Sequence, residues 1–345
     1  MSKELRLSYQ QGQGMNAADK NIGQKTVTNL LIWRLLYITW YALSRLRNIE
    51  LSSYNLTVEQ SAILDIIRLN NGWATAKDVE IITMRQHNSI SVLVNRMVKN
   101  GLLHKQKEPT EKSNRIVQTE KSKNCYINIP VESIVRSFST LSPDDKDHLS
   151  KALHAIHKKA RDLMGLYYVP PFIKPPERVI VESSDDSGKA DAKQLDHDLW
   201  SILDGASFAM YRLRQMELEQ YGITVEQLVI LTSVDQSKGW ITTRDLERRT
   251  LRNHNSLSAI TGRMIKNGLL IKEKKQGEKS YSIFLTSRGE KIVEELASDS
   301  VNMVLDCLTT DEKQQIYASL RSIYYRSLDL LRDYREKPPL LSEPD

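Results

Sequence analysis

Two stretches of the chain decide its fold: TMRQHNSISVLVNRMVKNGLLHK at residues 83–105 and TLRNHNSLSAITGRMIKNGLLIK at residues 250–272. They align without a gap at an offset of 167 positions, and the match extends from Trp33/Trp200 to Tyr167/Tyr334. Nearly half of the paired positions in the first two thirds of this match are identical. Because the offset is far longer than a solenoid repeat, each copy is expected to be a whole domain. The sequence therefore predicts a tandem duplication.

The segments outside the two copies have a different composition. Residues 168–192 contain four prolines and a run of Ser, Asp and Gly, which is typical of an exposed linker. The predicted organisation is a flexible tail over 1–24, a first domain over 25–167, a linker over 168–192, a second domain over 193–335 and a flexible tail over 336–345.

The composition limits the class of protein. The chain has 345 residues, of which 40% are hydrophobic and 27% are charged, so it has enough apolar mass for folded cores and is not fibrous or wholly disordered. Cys125 and Cys307 lie far apart and lack zinc-ligand spacing, which argues against a disulfide scaffold and a zinc finger. The net charge of +6 is compatible with a polyanionic partner.

One apolar run raises the question of a membrane segment. Residues 27–46 are nearly long enough to span a bilayer, but they include Arg34, and the corresponding stretch of the second copy holds three aspartates. We therefore expect a helix buried against other helices. The polar first two dozen residues predict no signal peptide, so a cytoplasmic protein without a membrane partner is expected.

Turn and capping signals predict the elements of one copy. A long amphipathic helix is expected near 26–50, and Thr57 and Thr75 are predicted to cap the next two helices. A fourth helix should begin at Asn88 or Ser89 and end before Gly101. The remaining predictions are strands at 102–107 and 116–119 around a polar loop, and helices at 131–140 and 143–167.

A short helix, a tight turn, a second helix and a charged hairpin form the layout of a winged helix-turn-helix. Such a helix fits the major groove of DNA, and a basic hairpin reaches the backbone beside it. Helical spacing predicts that Ile90, Leu93, Val94 and Met97 are core, so the opposite polar face should be presented to a partner.

The predicted DNA contacts combine this face with nearby basic residues of both copies. In the first copy they are Arg85, His87, Asn88, Ser89, Ser91, Val92, Asn95, Arg96, Lys99, Lys112 and Arg115. In the second copy they are Arg252, His254, Asn255, Ser256, Ser258, Ala259, Gly262, Arg263, Lys266 and Lys279.

The order of these motifs resembles the MarR family of winged-helix regulators. The resemblance lies in LTxxQ, R-x-H-N-S-x-S, RM-x-K-x-GLL, a charged wing and LTSRG at 285–289, and it covers nearly all of each copy. It implies a mostly α, α+β winged-helix fold, duplex DNA as partner, dimerisation through the first and last helices, and often a small organic effector. The chain departs from the family pattern in lacking the Asp-x-Arg wing tip and, in the first copy, the glycine of LTSRG. Pro130 is also expected to interrupt the helix that follows, so the fifth helix of the first copy should be irregular.

Dimerisation in the family implies that the two copies pair within one chain as a pseudo-dimer, through residues 26–50, 131–167, 193–217 and 298–334. Trp33, Trp40, Tyr41 and Trp200 are candidates for an effector pocket, and the alternative is packing at the helical interface.

For several other residues a functional role is conceivable, but an ordinary structural role is favoured. Trp73 and Trp240 fit a core position better than a ligand-stacking site. His148, His154 and His157 could suggest a metal, but the second copy has no histidine at these positions, so no metal or other cofactor is predicted. Nothing places a basic group beside either cysteine as in a redox sensor. Without a nucleophile–base constellation, an enzyme is not expected.

Two functions from different classes remain. The first is a sequence-specific regulator of transcription that places two recognition helices in successive major grooves. The second is a winged-helix protein-interaction module with little DNA binding. Basic residues around one surface favour DNA. Since Val92 and Asn95 become Ala259 and Gly262, we expect an imperfect palindrome, with Asn95 pairing with adenine and Val92 touching a thymine methyl in one half-site. The alternative is that residue 95 points at solvent and the difference between the copies has no function.

Overall fold

A computed structural model describes residues 28–107, 114–127, 129–167, 186–274 and 280–336. The protein is mostly helical and carries two small sheets. The described residues divide into two compact units, one that combines 28–30 with 213–302 and one that combines residues within 31–212 with 303–336. Helices from both halves of the sequence fold together in the second unit, and the predicted domain boundaries stay a prediction.

The first half of the sequence contains seven helices and three strands within its described residues. They are α1 Asn29–Ser52, α2 Val58–Leu69, β1 Trp73–Thr75, α3 Ala76–Thr83, α4 His87–Lys99, β2 Leu103–Gln106, β3 Arg115–Gln118, α5 Glu120–Ile127, α6 Glu132–Phe138 and α7 Pro143–Leu163.

The second half gives the same order of elements in its described residues, with one additional 3₁₀ turn at Glu219–Tyr221. They are α8 Asp186–Leu218, α9 Val225–Gln236, β4 Trp240–Thr242, α10 Thr243–Thr250, α11 His254–Lys266, β5 Leu270–Glu273, β6 Ser282–Leu285, α12 Ser287–Glu294, α13 Asp299–Leu305 and α14 Thr310–Glu336.

The two predicted helix caps are confirmed. The Thr57 hydroxyl accepts the backbone N–H of Gln60, and the Gln60 side chain accepts the backbone N–H of Thr57 in return. Thr75 and Asp78 form the same reciprocal capping box at the start of α3. Such boxes satisfy backbone donors that a helix leaves unpaired at its first turn, so they fix where α2 and α3 begin.

Each wing is an antiparallel sheet of three strands. The strand orders are β1-β3-β2 and β4-β6-β5, with the strand after the wing loop in the centre. Trp73 pairs with Val117 in the first sheet, and Trp240 pairs with Phe284 in the second. The short strand before α3 or α10 therefore anchors the wing to the helix-turn-helix.

The prediction that Trp73 and Trp240 are core residues is wrong. Trp73 is half-buried and Trp240 is 45% exposed. Side chains alternate between the two faces of a strand, and the inner face at β1 and β4 is taken by the buried residues Ala74 and Ile241. Each tryptophan therefore lies on the outer face of its sheet.

The core face of α4 follows helical periodicity. Ile90, Val94 and Met97 are buried as predicted, whereas Leu93 is only half-buried. Residues 90, 94 and 97 fall within one narrow stripe of the helix, and residue 93 lies at its margin. The opposite side of α4 remains open to solvent.

A buried ion pair recurs at equivalent positions of the two repeats. Within the unit that holds α1, Arg47 pairs with Glu50 at 2.5 Å, and Glu50 also accepts the backbone N–H of Ser133. Within the other unit, Arg214 pairs with Glu217, which accepts the backbone N–H of Asp299 at 2.9 Å. These carboxylates therefore fix the starts of α6 and α13 through charge-assisted hydrogen bonds.

The structure differs from the predicted elements at the linker, and α4 begins at His87, before the predicted start at Asn88 or Ser89. Helix α8 already begins at Asp186, so the last part of the predicted linker is helical, while 168–185 lie outside the described residues. No proline follows Pro176 in this stretch, and its Lys and Ala residues favour a helix. Helix α5 begins after Thr119, whose hydroxyl accepts the backbone N–H of Ser122, and it ends at Ile127, before Pro130, as expected.

Helices from both halves of the sequence pack together in the unit of residues 31–212 and 303 onward. Lys146 of α7 pairs with Asp196 of α8 at 2.6 Å. The hydroxyl of Thr39 donates to the carbonyl of Leu320 at 3.2 Å. Among the residues that the structure describes, no helix has the combined length and apolar character of a bilayer-spanning segment.

Candidate nucleic-acid interface

The turn between the two helices of each helix-turn-helix has a left-handed residue at one position. Met84 follows α3 with φ 53°, and Leu251 follows α10 with φ 55°. This conformation costs roughly 1–2 kcal/mol for a residue with a side chain. Both side chains are buried, which offsets that cost. The turn therefore sets the direction in which α4 and α11 leave the core.

The first residue of each recognition helix is a histidine held by a glutamate. His87 Nδ1 lies 2.5 Å from Glu80 Oε1, and His254 Nδ1 lies 2.7 Å from Glu247 Oε1. The two imidazoles are 70% and 75% exposed, while the glutamates on α3 and α10 are largely covered. A carboxylate at Nδ1 fixes the ring orientation, and His87 Nε2 lies 3.4 Å from the Ser91 hydroxyl oxygen.

The structure brings most of the predicted contact residues to one exposed side of each recognition helix. Ser91 and Ser256 are half-buried members of these faces. The exposed members on α4 are His87, Asn88, Ser89, Val92, Asn95, Arg96 and Lys99. Those on α11 are His254, Asn255, Ser258, Ala259, Gly262, Arg263 and Lys266. Each face can thus offer hydrogen-bond donors, acceptors and positive charge to a ligand.

The starts of the two recognition helices differ. Asn253 caps α11, since its side-chain oxygen accepts the backbone N–H of Ser256 at 2.8 Å. Gln86 stands at the same place before α4 and makes no side-chain cap bond. More of the backbone donors at the start of α4 are therefore left for another acceptor.

The lysine that follows each recognition helix on the wing has a different partner in the two halves. Lys105 Nζ donates to Asn95 Oδ1 at 2.8 Å, which connects β2 to α4. The equivalent Lys272 lies over the ring of Tyr281 at 4.2 Å, within the second wing. Equivalent lysines of the two repeats thus have different partners: Lys105 donates a hydrogen bond to the recognition helix, and Lys272 makes a cation–π contact within its own wing.

Some predicted contacts lie elsewhere or have partners within the protein. Arg115 is half-buried, and its guanidinium lies 4.1 Å from the centroid of the Trp73 ring. Arg85 is half-buried between Phe208, 4.8 Å away, and Glu59, at 3.8 Å. Arg252 is also half-buried. Lys112 and Lys279 at the wing tips lie outside the described residues.

The candidate effector residues occupy different environments. Trp33 and Trp200 are buried, whereas Trp40 and Tyr41 are half-buried. Trp33 stacks with Tyr37 on α1, and Trp40 Nε1 donates to Asp204 Oδ1 at 2.6 Å. The aromatic side chains of α1 therefore form part of the helical packing, and their role as an effector pocket stays a prediction.

Sequence reasoning missed three residues of this interface. Glu80 and Glu247 occupy equivalent positions in KDVE and RDLE, so their recurrence was a usable signal. The contact of Lys105 with Asn95 joins a strand to a helix and follows no sequence period.

Burial is the main cause of the shifted pKa values of His157 and the two cysteines. No group of three His, Cys, Asp or Glu side chains within the described ranges is placed to hold a metal ion. Burial lowers the pKa of His157 to about 4, with Arg161 and His154 adding to the shift, so its ring is neutral near pH 7. Burial raises the pKa of the Cys125 and Cys307 thiols.

No model of a known protein family matches the chain. No curated protein matches its sequence at a significant level. Among solved structures, the chain is similar to the organohalide-sensing transcriptional regulator RdhR in its ligand-free form, with 24% identity over 47% of this chain and 97% of that one at a TM-score of 0.39.

Two further solved structures are similar to a comparable degree. RdhR in its 2,4-dichlorophenol-bound form has 24% identity over 47% of this chain and 97% of that one, at a TM-score of 0.37. Reduced AbfR bound to DNA has 22% identity over 42% of this chain and 99% of that one, at a TM-score of 0.34. At such identities and TM-scores, these similarities assign no function to this chain.

Proposed function

We propose that the protein is a transcriptional regulator that binds double-stranded DNA in a sequence-dependent manner, with α4 and α11 as its recognition helices. The observation that carries this proposal is the repeated His-Asn-Ser start of both helices, in which the histidine and asparagine are exposed and each imidazole contacts a half-buried glutamate. Small polar side chains at a helix N-terminus suit base edges and phosphates in a major groove.

The basic residues of the same faces support this proposal. Arg96 and Lys99 recur as Arg263 and Lys266, and all four side chains are exposed. They carry positive charge to the last turn of each recognition helix, where guanidinium and ammonium groups can neutralise phosphates. The wing lysines Lys105 and Lys272 add positive charge beside them.

One chain supplies both halves of the binding surface in this proposal. The two repeats act as an internal pseudo-dimer, and their packed terminal helices take the place of a subunit interface. We expect one chain per imperfect palindrome, with half-sites about 34–36 Å apart. A small organic effector that acts through Trp33, Trp40, Tyr41 and Trp200, together with a cytoplasmic location, belongs to the same proposal.

The deciding experiment is selection of duplexes from a randomised library, followed by affinity measurements. The wild-type chain should enrich an imperfect palindrome and bind it as one chain per duplex. Replacing both His87 and His254 by Ala should cost roughly 1–3 kcal/mol per lost contact. His148→Ala removes an exposed histidine on α7 and serves as the matched control. Failure of the wild-type chain to enrich any sequence would contradict the proposal.

A protein-interaction role is the second candidate, and one observation favours it. Trp240 and Ile271 are each 45% exposed, and their neighbour Phe284 on the central strand pairs with both in the sheet register. Exposed apolar residues in a row can mark a protein-binding surface. If Trp240→Ala leaves DNA affinity unchanged and the wild-type chain binds all duplexes equally weakly, this second role is favoured.

A further inference from the structure

We propose that Lys105 orients the amide of Asn95 so that the first recognition helix selects a guanine in one half-site only. This inference rests on the proposed function and specifies which base the first recognition helix contacts. It begins from the 2.8 Å hydrogen bond between Lys105 Nζ and Asn95 Oδ1, which joins two exposed side chains.

The chemistry of lysine fixes which end of the amide faces it. An ammonium group has three donors and no acceptor, so only the oxygen of Asn95 can meet it. The amide nitrogen must then point away from Lys105. This settles an orientation that coordinates of an asparagine alone leave open.

The oriented pair presents hydrogen-bond donors outward. The amide nitrogen of Asn95 carries two hydrogens, and the ammonium of Lys105 keeps two beyond the one used on Oδ1. Guanine is the base whose major-groove edge carries two adjacent acceptors, O6 and N7. Adenine offers the acceptor N7 beside the donor N6. The donors of Asn95 and Lys105 would therefore face a donor at N6, which is unfavourable. This conclusion replaces the expectation of an adenine contact, which requires Oδ1 to face the base.

The second repeat supplies a natural comparison. Position 95 is matched by Gly262, around which an added Cβ would meet no atom within 4 Å, so that the surface there is open. The matching lysine, Lys272, turns instead to the ring of Tyr281. Because the second half has neither the amide nor the lysine contact, it should show no base preference at the corresponding position.

The test compares variants in selection from a duplex library, with affinities measured on the selected sequence. Asn95→Gly should weaken the guanine preference in one half-site, because only the Lys105 donors remain, and lower affinity roughly tenfold. Asn95→Asp should also weaken it, although aspartate can keep its contact with Lys105, because a carboxylate has no donor. Circular dichroism of each variant should match the wild type, since the replaced side chains are exposed.

Lys105→Ala separates orientation from simple charge. The released amide can rotate and accept from adenine N6 while it donates to N7, so guanine and adenine should be selected about equally. Lys272→Ala removes the same charge from the second half and should weaken binding to all sequences without changing base preference.

Two outcomes would overturn different statements. Equal, sequence-independent losses in Lys105→Ala and Lys272→Ala, with the guanine preference unchanged in Asn95→Gly, would overturn this inference alone. A wild-type chain that enriches no sequence would overturn the proposed function and this inference with it.

Discussion

The indole N–H of Trp40 on α1 donates to the carboxylate of Asp204 on α8 across 2.6 Å. These residues come from opposite halves of the sequence and meet within one compact unit. Burial raises the pKa of Asp204, while the Trp40 hydrogen bond and the nearby Arg85 charge oppose the shift. Burial thus disfavours the charged form of the carboxyl group, and the hydrogen bond from Trp40 favours it.

Trp40→Phe should destabilise the protein. Phenylalanine retains most of the apolar surface but has no N–H group. The buried Asp204 carboxyl therefore loses the hydrogen bond that Trp40 donates to it. The expected loss in free energy of unfolding is about 1–3 kcal/mol, measured by urea denaturation. In the Asp204→Ala background the same substitution should cost much less, because the acceptor is gone. Equal losses in both backgrounds would show that the hydrogen bond contributes nothing.

Asp204→Asn tests the raised pKa through the pH dependence of stability. A carboxyl whose pKa is raised by folding keeps its proton in the native state while the unfolded chain releases it. The free energy of unfolding therefore falls as pH rises from the ordinary carboxyl value of about 3.9 through the raised native value. Asparagine does not titrate. The free energy of unfolding of the Asp204→Asn variant, relative to that of the wild type, should therefore rise across that interval and then stay constant. A difference that does not vary with pH would contradict this interpretation.

The elements could be predicted from sequence where local chemistry decides them. Thr57 and Thr75 begin helices because their side chains satisfy donors three residues away, a relationship that sequence spacing contains. Trp240 could not be placed in this way, since a three-residue strand shows too little alternation to tell which face its neighbour Ile241 occupies.

Contacts between elements required the structure. Lys105 and Asn95 lie on different elements, and the equivalent Lys272 has another partner, so neither periodicity nor the repeat predicts the pair. The same holds for Arg85, whose charge suggested a phosphate contact but whose guanidinium packs on Phe208. Residue type predicted the chemistry that these side chains can offer, and tertiary packing decided which surface receives it.

Gly289→Ala should be destabilising, with Gly262→Ala as its matched control. An added Cβ at residue 289 would lie 2.4 Å from the Leu269 carbonyl oxygen, whereas residue 262 has open space around it. Such overpacking typically costs about 1–3 kcal/mol. Alanine at residue 262 should instead stabilise α11 by roughly 0.5–1 kcal/mol, because glycine is a poor helix former. Thermal unfolding of both variants provides the comparison, and a stable Gly289→Ala variant would contradict the close approach.

The salt dependence of DNA affinity tests the basic residues of the two recognition helices. Each phosphate that a lysine or arginine neutralises releases counterions, so the logarithm of affinity falls by roughly 0.9 per unit of log salt for each contact. Arg96→Ala and Arg263→Ala should therefore each weaken binding to every sequence and reduce the slope by about that amount. Lys158→Ala removes an exposed positive charge from α7, which is not a recognition helix, and should leave the slope unchanged. If all three variants shift the slope equally, general charge accounts for binding. If Arg96→Ala and Arg263→Ala leave it unchanged, neither guanidinium contacts a phosphate.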